Sequence, residues 1–87
     1  MSNTQDKRLQ RKIEHAEFLW ERAQLNAAMA KMQLDASVKL FKEMNGEMTE
    51  EQIQQTEEQA AIQYKRIEDY VMEEKKAYLA RIESTQD

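Results

Sequence analysis

Apolar residues recur every three or four positions through the first half of the chain, with polar residues between them. One such set consists of Trp20, Ala23, Ala27, Ala30 and Leu34. This spacing places side chains on one face of an α-helix, because the helix has a period of about 3.6 residues. The pattern predicts a long first helix, from about residue 5 to about residue 44, that packs this face against another element.

A second apolar set lies on the opposite face of the same predicted helix. At about 100° per residue, its centre lies roughly 160° from that of the first set. A surface helix needs only one apolar face, so this helix is expected to bury two sides. We predict that the second face binds a protein partner. Its residues are Phe18, Leu25, Met29, Met32, Ala36 and Leu40.

A second helix is predicted from about residue 49 to about residue 84, and it has one main apolar face. Thr49 and Gln52 have the spacing of a capping box, which marks the start of a helix. Only Ala61, Met72 and Leu79 hint at a second apolar face. Packing against the first helix would therefore bury most of the apolar surface of this helix. Its main face consists of Ile53, Ala60, Tyr64, Ile67, Val71, Tyr78 and Ile82.

A short connection between the two helices, residues 45–48, predicts that they run antiparallel. Asn45 and Gly46 are residues that tolerate the left-handed cap with which many helices end. The predicted fold is all-α: residues 1–87 form a single domain, a long antiparallel α-helical hairpin resembling a coiled coil. Because one apolar face is left over, we expect the hairpin to assemble into a dimeric bundle or a complex with another protein.

The register of the hairpin can be predicted by folding the chain about Glu47. Residues equidistant from that point should face each other, and Trp20 should lie beside Val71 and Tyr78. Large residues then mostly oppose small ones, as in a well-packed seam. The other predicted pairs are Phe41 with Ile53, Leu34 with Ala60, Ala30 with Tyr64, Ala27 with Ile67, and Ile13 with Ile82.

Composition supports a helical chain and narrows its class. The 87 residues include no proline, no cysteine and a single glycine, Gly46, so disulfides and thiolate metal sites are excluded. The N-terminus lacks the apolar segment of a signal peptide, and no apolar run approaches the length of a membrane span. We therefore expect a soluble, cytoplasmic protein. The net charge of −4 argues against a general nucleic-acid binder.

Known catalytic, phosphate-binding and metal-binding motifs are missing from the sequence. His15 is the only histidine, and Lys12 stands where a Glu-x-x-His di-iron motif would need glutamate. We predict no enzyme activity, no small-molecule substrate, no cofactor and no metal. Charge is uneven, however: residues 43–58 contain six glutamates and no lysine or arginine, whereas the two chain ends are mildly basic.

Three functions are compatible with these features. The leading hypothesis is a small protein-binding module, of the chaperone, adaptor or inhibitor type, that presents the second face of the first helix to a partner helix. The alternative is a structural protein whose partner is itself, in a homodimeric four-helix bundle. The third is a nucleic-acid-binding protein that uses the basic residues at the chain ends.

Overall fold

A computed structural model of the protein describes residues 3–44 and 46–85, with side chains from residue 6 onward. Two helices account for almost all of this part: α1 (Asn3–Met44) has 42 residues and α2 (Glu50–Ser84) has 35. They pack side by side in a single flat layer, and the Cα atoms span 72 by 17 by 6 Å. The predicted all-α helical hairpin is confirmed, with α1 beginning two residues earlier than expected.

The predicted capping box at the start of α2 is present. The backbone N–H of Gln52 donates to the Thr49 hydroxyl at 3.2 Å, and the backbone N–H of Thr49 donates to the Gln52 side chain at 3.1 Å. Glu50 and Glu51 follow in the first turn, where the positive end of the helix dipole favours acidic side chains. Short-range signals in the sequence therefore fix where α2 begins.

Gly46 does not adopt the left-handed conformation that was predicted for Asn45 or Gly46. Gly46 does not have a positive φ, and Asn45, the other candidate for this conformation, lies outside the described residues. The chain instead bends at Gly46 and Glu47 and then becomes extended at Thr49, where φ is −70° and ψ is 159°. Because Gly46 itself has no positive φ, the connection does not require glycine at this position.

Small residues form the seam between the helices. Ala16 and Ala23 are only 1% and 2% exposed, and Ala27 and Ala60 are also buried. None of the larger side chains among the described residues is fully buried. Alanine lets two helices approach closely but contributes little apolar area, because the hydrophobic free energy scales with the area removed from water. The hairpin consequently has a thin core.

The predicted register is wrong by slightly more than one helical turn. Tyr64 donates a hydrogen bond to Asp35, and Lys42 pairs with Glu57 at 3.5 Å, so the midpoint of these pairs lies between residues 49 and 50 instead of at Glu47. Extended residues advance about 3.3 Å each, against about 1.5 Å in a helix. The connection therefore carries the chain past the end of α1 before α2 begins.

This shift leaves the first turn of α2 overhanging the end of α1. Ile53 remains 37% exposed and Phe41 49% exposed, although the sequence pattern placed both in the seam as a facing pair. Phe41 instead borders a groove beside Thr56. Farther from the connection, the predicted contact between Trp20 and Tyr78 is confirmed: their rings stack with centroids 6.0 Å apart.

Candidate protein-binding surface

The structure leaves the predicted partner-binding face of α1 open to solvent. Ala36 is exposed, and the five larger side chains are between 51% and 70% exposed. We call this surface the outer face of α1. It comprises Phe18, Leu25, Met29, Met32, Ala36 and Leu40.

The outer face is open because α2 covers only the opposite side of α1. Ala16, Ala23 and Ala27 lie in the seam, and helical periodicity directs them away from Leu25 and Met29. From Phe18 to Leu40 the outer face extends over about 33 Å of helix axis, at about 1.5 Å per residue. It is therefore a straight stripe one helix wide, in which Arg22 lies between Phe18 and Leu25 and the part from Leu25 to Leu40 is apolar.

On α2, the exposed apolar residues do not form a comparable stripe. Ile62, Met72 and Leu79 are all exposed, and the sequence pattern had pointed to Met72 and Leu79 but missed Ile62. Lys65 and Asp69 lie between Ile62 and Met72 at helical spacing, so charged side chains interrupt the apolar surface. Isolated exposed apolar residues are common on protein surfaces, whereas a contiguous patch usually marks an interface.

The two sides of the seam differ in chemistry. On one side, polar contacts bridge the helices, namely the Asp35–Tyr64 hydrogen bond and the Lys42–Glu57 ion pair. The other side is an open groove of about 790 Å³ with Arg66 as the only charged residue in its lining. Uncharged polar side chains border this groove, among them Gln33, Ser37, Thr56, Gln59 and Gln63.

Sequence reasoning missed this groove because its existence depends on the register between the helices. The only signal was that Asn26 and Gln33 lie on a flank of α1 with few charges, opposite the flank that carries Asp35 and Lys42. Such a flank usually faces solvent, so its composition alone does not indicate a groove. The floor is apolar and includes Leu34 and Ile67.

The ends of the hairpin carry different charges. Around the connection, residues 43–58 contribute six negative charges and no positive charge. Lys42, just before this segment, pairs with Glu57. Near the chain ends, basic and acidic residues are interleaved, as in the Lys76–Glu73 pair at 3.8 Å. Arg81 is half-buried there, and its buried Nη1 has no hydrogen-bond partner in the part of the chain that is described.

Residues 3–44 and 46–85 contain neither a metal-binding cluster nor a membrane-spanning stretch. No group of three or more histidine or carboxylate side chains in these ranges is placed to hold a metal ion. Neither helix, as far as it is described, has a stretch apolar enough to cross a membrane. His15, the single histidine, is exposed. The outer face of α1 is the surface that requires a functional explanation.

Comparison with known proteins gives no relative from which a role for this surface could be taken. No protein-family model, curated protein or solved structure matches the chain.

Proposed function

We propose that the protein is a small helical binding module that presents the outer face of α1 to an amphipathic helix of a protein partner. One observation supports this most directly: five large apolar side chains on one face of α1 are more than half exposed. A contiguous apolar stripe of this kind is costly to leave in water and is typical of an interface.

The free energy at stake is large compared with the stability of the hairpin alone. Fully burying a Leu, Met or Phe side chain contributes about 1.5–3 kcal/mol. Since the five side chains are already partly covered by neighbours, completing their burial would contribute roughly half of the full value, on the order of 5 kcal/mol. Small domains have total stabilities of about 5–15 kcal/mol, and in the described part of this one the buried apolar residues are all alanines.

The shape of the outer face favours a helix as the bound element. A straight stripe one helix wide matches the apolar stripe of a second helix, which packs by placing its side-chain ridges into the grooves of the first. Met29 and Met32 lie at the middle of the stripe. Methionine is flexible and polarizable, so this centre can adapt to the side chains of the partner.

Site-specific photo-crosslinking in expressing cells tests this proposal. A photoreactive side chain at Met29 should form covalent adducts with a protein partner, identified by mass spectrometry. Met72 is the matched control, because it is also an exposed methionine at mid-helix: 57% of Met72 and 51% of Met29 is exposed. Adducts at neither position, or equal adducts at both, would contradict the proposal.

A further inference from the structure

We propose that the partner of the outer face is a second copy of this chain, packed antiparallel, with the two-fold axis near Met29. This inference rests on the proposed function, since it names the partner of the same surface. The two α1 helices would lie at the centre of the dimer, with each α2 on the outside. Three features of the described residues support the arrangement: the apolar pattern, the charges beyond its ends, and the charges along one edge.

The apolar pattern is nearly symmetric about Met29, except that Arg22 stands at the position that mirrors Ala36. Phe18 lies eleven residues before Met29 and Leu40 lies eleven residues after it. An antiparallel pair centred on Met29 therefore places each Phe18 against the Leu40 of the other copy, and Met29 against Met29. Arg22 and Ala36, seven residues to either side, would also face each other, so a long side chain opposes a small one.

The charges beyond the two ends of the stripe are complementary in this orientation. Lys7 and Arg11 continue the outer face toward the N-terminus, whereas Glu43 continues it toward the connection. Arg11 lies eighteen residues before Met29 and Glu43 fourteen after it, so the antiparallel arrangement brings each Arg11 within about one turn of Glu43 of the other copy. A parallel pair would instead place the acidic connections of the two copies together, where like charges repel.

The charges along one edge of the stripe show the same complementarity. Glu21 and Lys39 are eighteen residues apart, which is about five full turns, so they lie on the same edge of α1. In an antiparallel two-fold pair, equivalent edges of the two helices adjoin. Glu21 of each copy then lies within about one turn of Lys39 of the other, which gives two ion pairs. Both residues are exposed and available for this contact.

One residue near the basic end opposes the arrangement. Glu14 lies on the N-terminal extension of the outer face, between Arg11 and Phe18. In the dimer it would approach Glu43 of the other copy. Its carboxylate accepts a hydrogen bond from the Gln10 side chain at 3.1 Å. Arg11, one turn away, faces the same acidic segment and offsets this repulsion. Lys7, Arg11 and Glu14 together carry a net positive charge, which favours the end of the other copy that carries Glu43.

Cysteine crosslinking of the full chain tests the orientation, because the protein has no native cysteine. Arg22→Cys and Ala36→Cys are prepared as separate variants and oxidised alone and as an equimolar mixture. In the antiparallel dimer, the mixture should form the disulfide between unlike variants. Each variant alone should remain largely uncrosslinked, because its two copies of the thiol lie about 21 Å apart along the axis. Efficient crosslinking of each variant with itself would indicate a parallel dimer and overturn the inference.

Charge reversal gives a second readout that does not depend on thiol chemistry. Glu21→Lys should weaken dimerisation about tenfold by sedimentation equilibrium, since it replaces two attractive contacts with two repulsive ones. Lys39→Glu should do the same, and the double variant should restore the original affinity to within about twofold. An unchanged dimerisation constant in both single variants would overturn the antiparallel arrangement. Circular dichroism checks that every variant retains its helicity.

The solution mass of the unmodified protein separates this inference from the proposed function. A mass of twice 10.4 kDa, with Met29 photo-adducts between copies, supports both. A monomer whose Met29 photo-adducts contain a different protein overturns the second-copy inference and leaves the proposed function intact. A monomer without Met29 adducts overturns both.

Discussion

Trp20 of α1 stacks on Tyr78 of α2, with the ring centroids 6.0 Å apart and the ring planes inclined by 20°. The pair lies in a seam whose fully buried members are alanines. Stacked aromatic rings add about 0.5–1.5 kcal/mol beyond the area that they bury. The pair therefore holds the two helices together near the chain ends, where the hairpin has no covalent connection.

Replacing Trp20 should destabilise the hairpin strongly. We expect Trp20→Ala to lower the free energy of unfolding by about 3 kcal/mol, as for the truncation of a large packed aromatic residue. Urea unfolding followed by circular dichroism at one fixed protein concentration measures the effect. Tyr70→Ala is the control, because Tyr70 is an exposed aromatic residue of α2, and it should cost less than about 1 kcal/mol. Equal losses in the two variants would refute a special role for the stack.

Charges placed on the outer face should disrupt association without unfolding the hairpin. We expect the double variant Leu25→Glu, Met29→Glu to lose its complex, because burying two unpaired carboxylates is unfavourable. Both residues are more than half exposed and point away from the seam, so helicity should be retained.

The matched control carries the same chemical changes on α2, as Met72→Glu with Leu79→Glu. These residues are 57% and 49% exposed, close to the values on α1, and charged residues interrupt their surface. The control should keep the mass of the unmodified protein in sedimentation or light scattering. Loss of association in both double variants would mean that the exposed apolar residues do not act through the outer face of α1.

The capping box at Thr49 should contribute measurably to the stability of α2. Thr49→Ala removes the acceptor of the Gln52 backbone N–H and should cost about 1 kcal/mol. Amide hydrogen exchange should show faster exchange in the first turn of α2 and little change near Tyr78. Thr56→Ala is a suitable comparison, since the Thr56 hydroxyl donates to the Gln52 carbonyl within the helix and caps nothing. A uniform loss of protection along α2 would contradict a local capping effect.

Substitution of Gly46 should be tolerated, contrary to what the sequence pattern suggests. Gly46 has no positive φ, and an added Cβ would meet no atom within 4 Å. Gly46→Ala should therefore leave stability unchanged or raise it by about 0.4–1 kcal/mol, because alanine restricts the unfolded chain. Thermal unfolding monitored by circular dichroism tests this. A loss of more than about 1 kcal/mol would indicate that the connection needs the conformational freedom of glycine.

Local signals account for what was predicted correctly. Helix-forming composition, the absence of proline and the apolar spacing define both helices, and the Thr49–Gln52 spacing defines where α2 starts. Each of these signals involves residues that are close together in the sequence. Each therefore predicts helix formation without knowledge of the partner helix. The exposure of Leu25 and Met29 follows similarly, because one hairpin partner can cover only one face of α1.

The register and the groove depended instead on the path of the connection. The non-helical connection, extended at Thr49, moved the contacts of α1 by more than a turn. This placed Asp35 opposite Tyr64 and left Phe41 and Ile53 partly exposed. Several registers of two amphipathic helices match large residues with small ones, so side-chain patterns alone do not select among them.

The sequence by itself thus determined two helices, their antiparallel order and the surplus apolar face of α1, because helical periodicity is a local property. Only the tertiary structure decided which residues meet across the seam, which side of it polar contacts bridge, and which side opens as a groove. Those features depend on the relative axial position of α1 and α2, which is set by the advance of a few non-helical residues before Glu50.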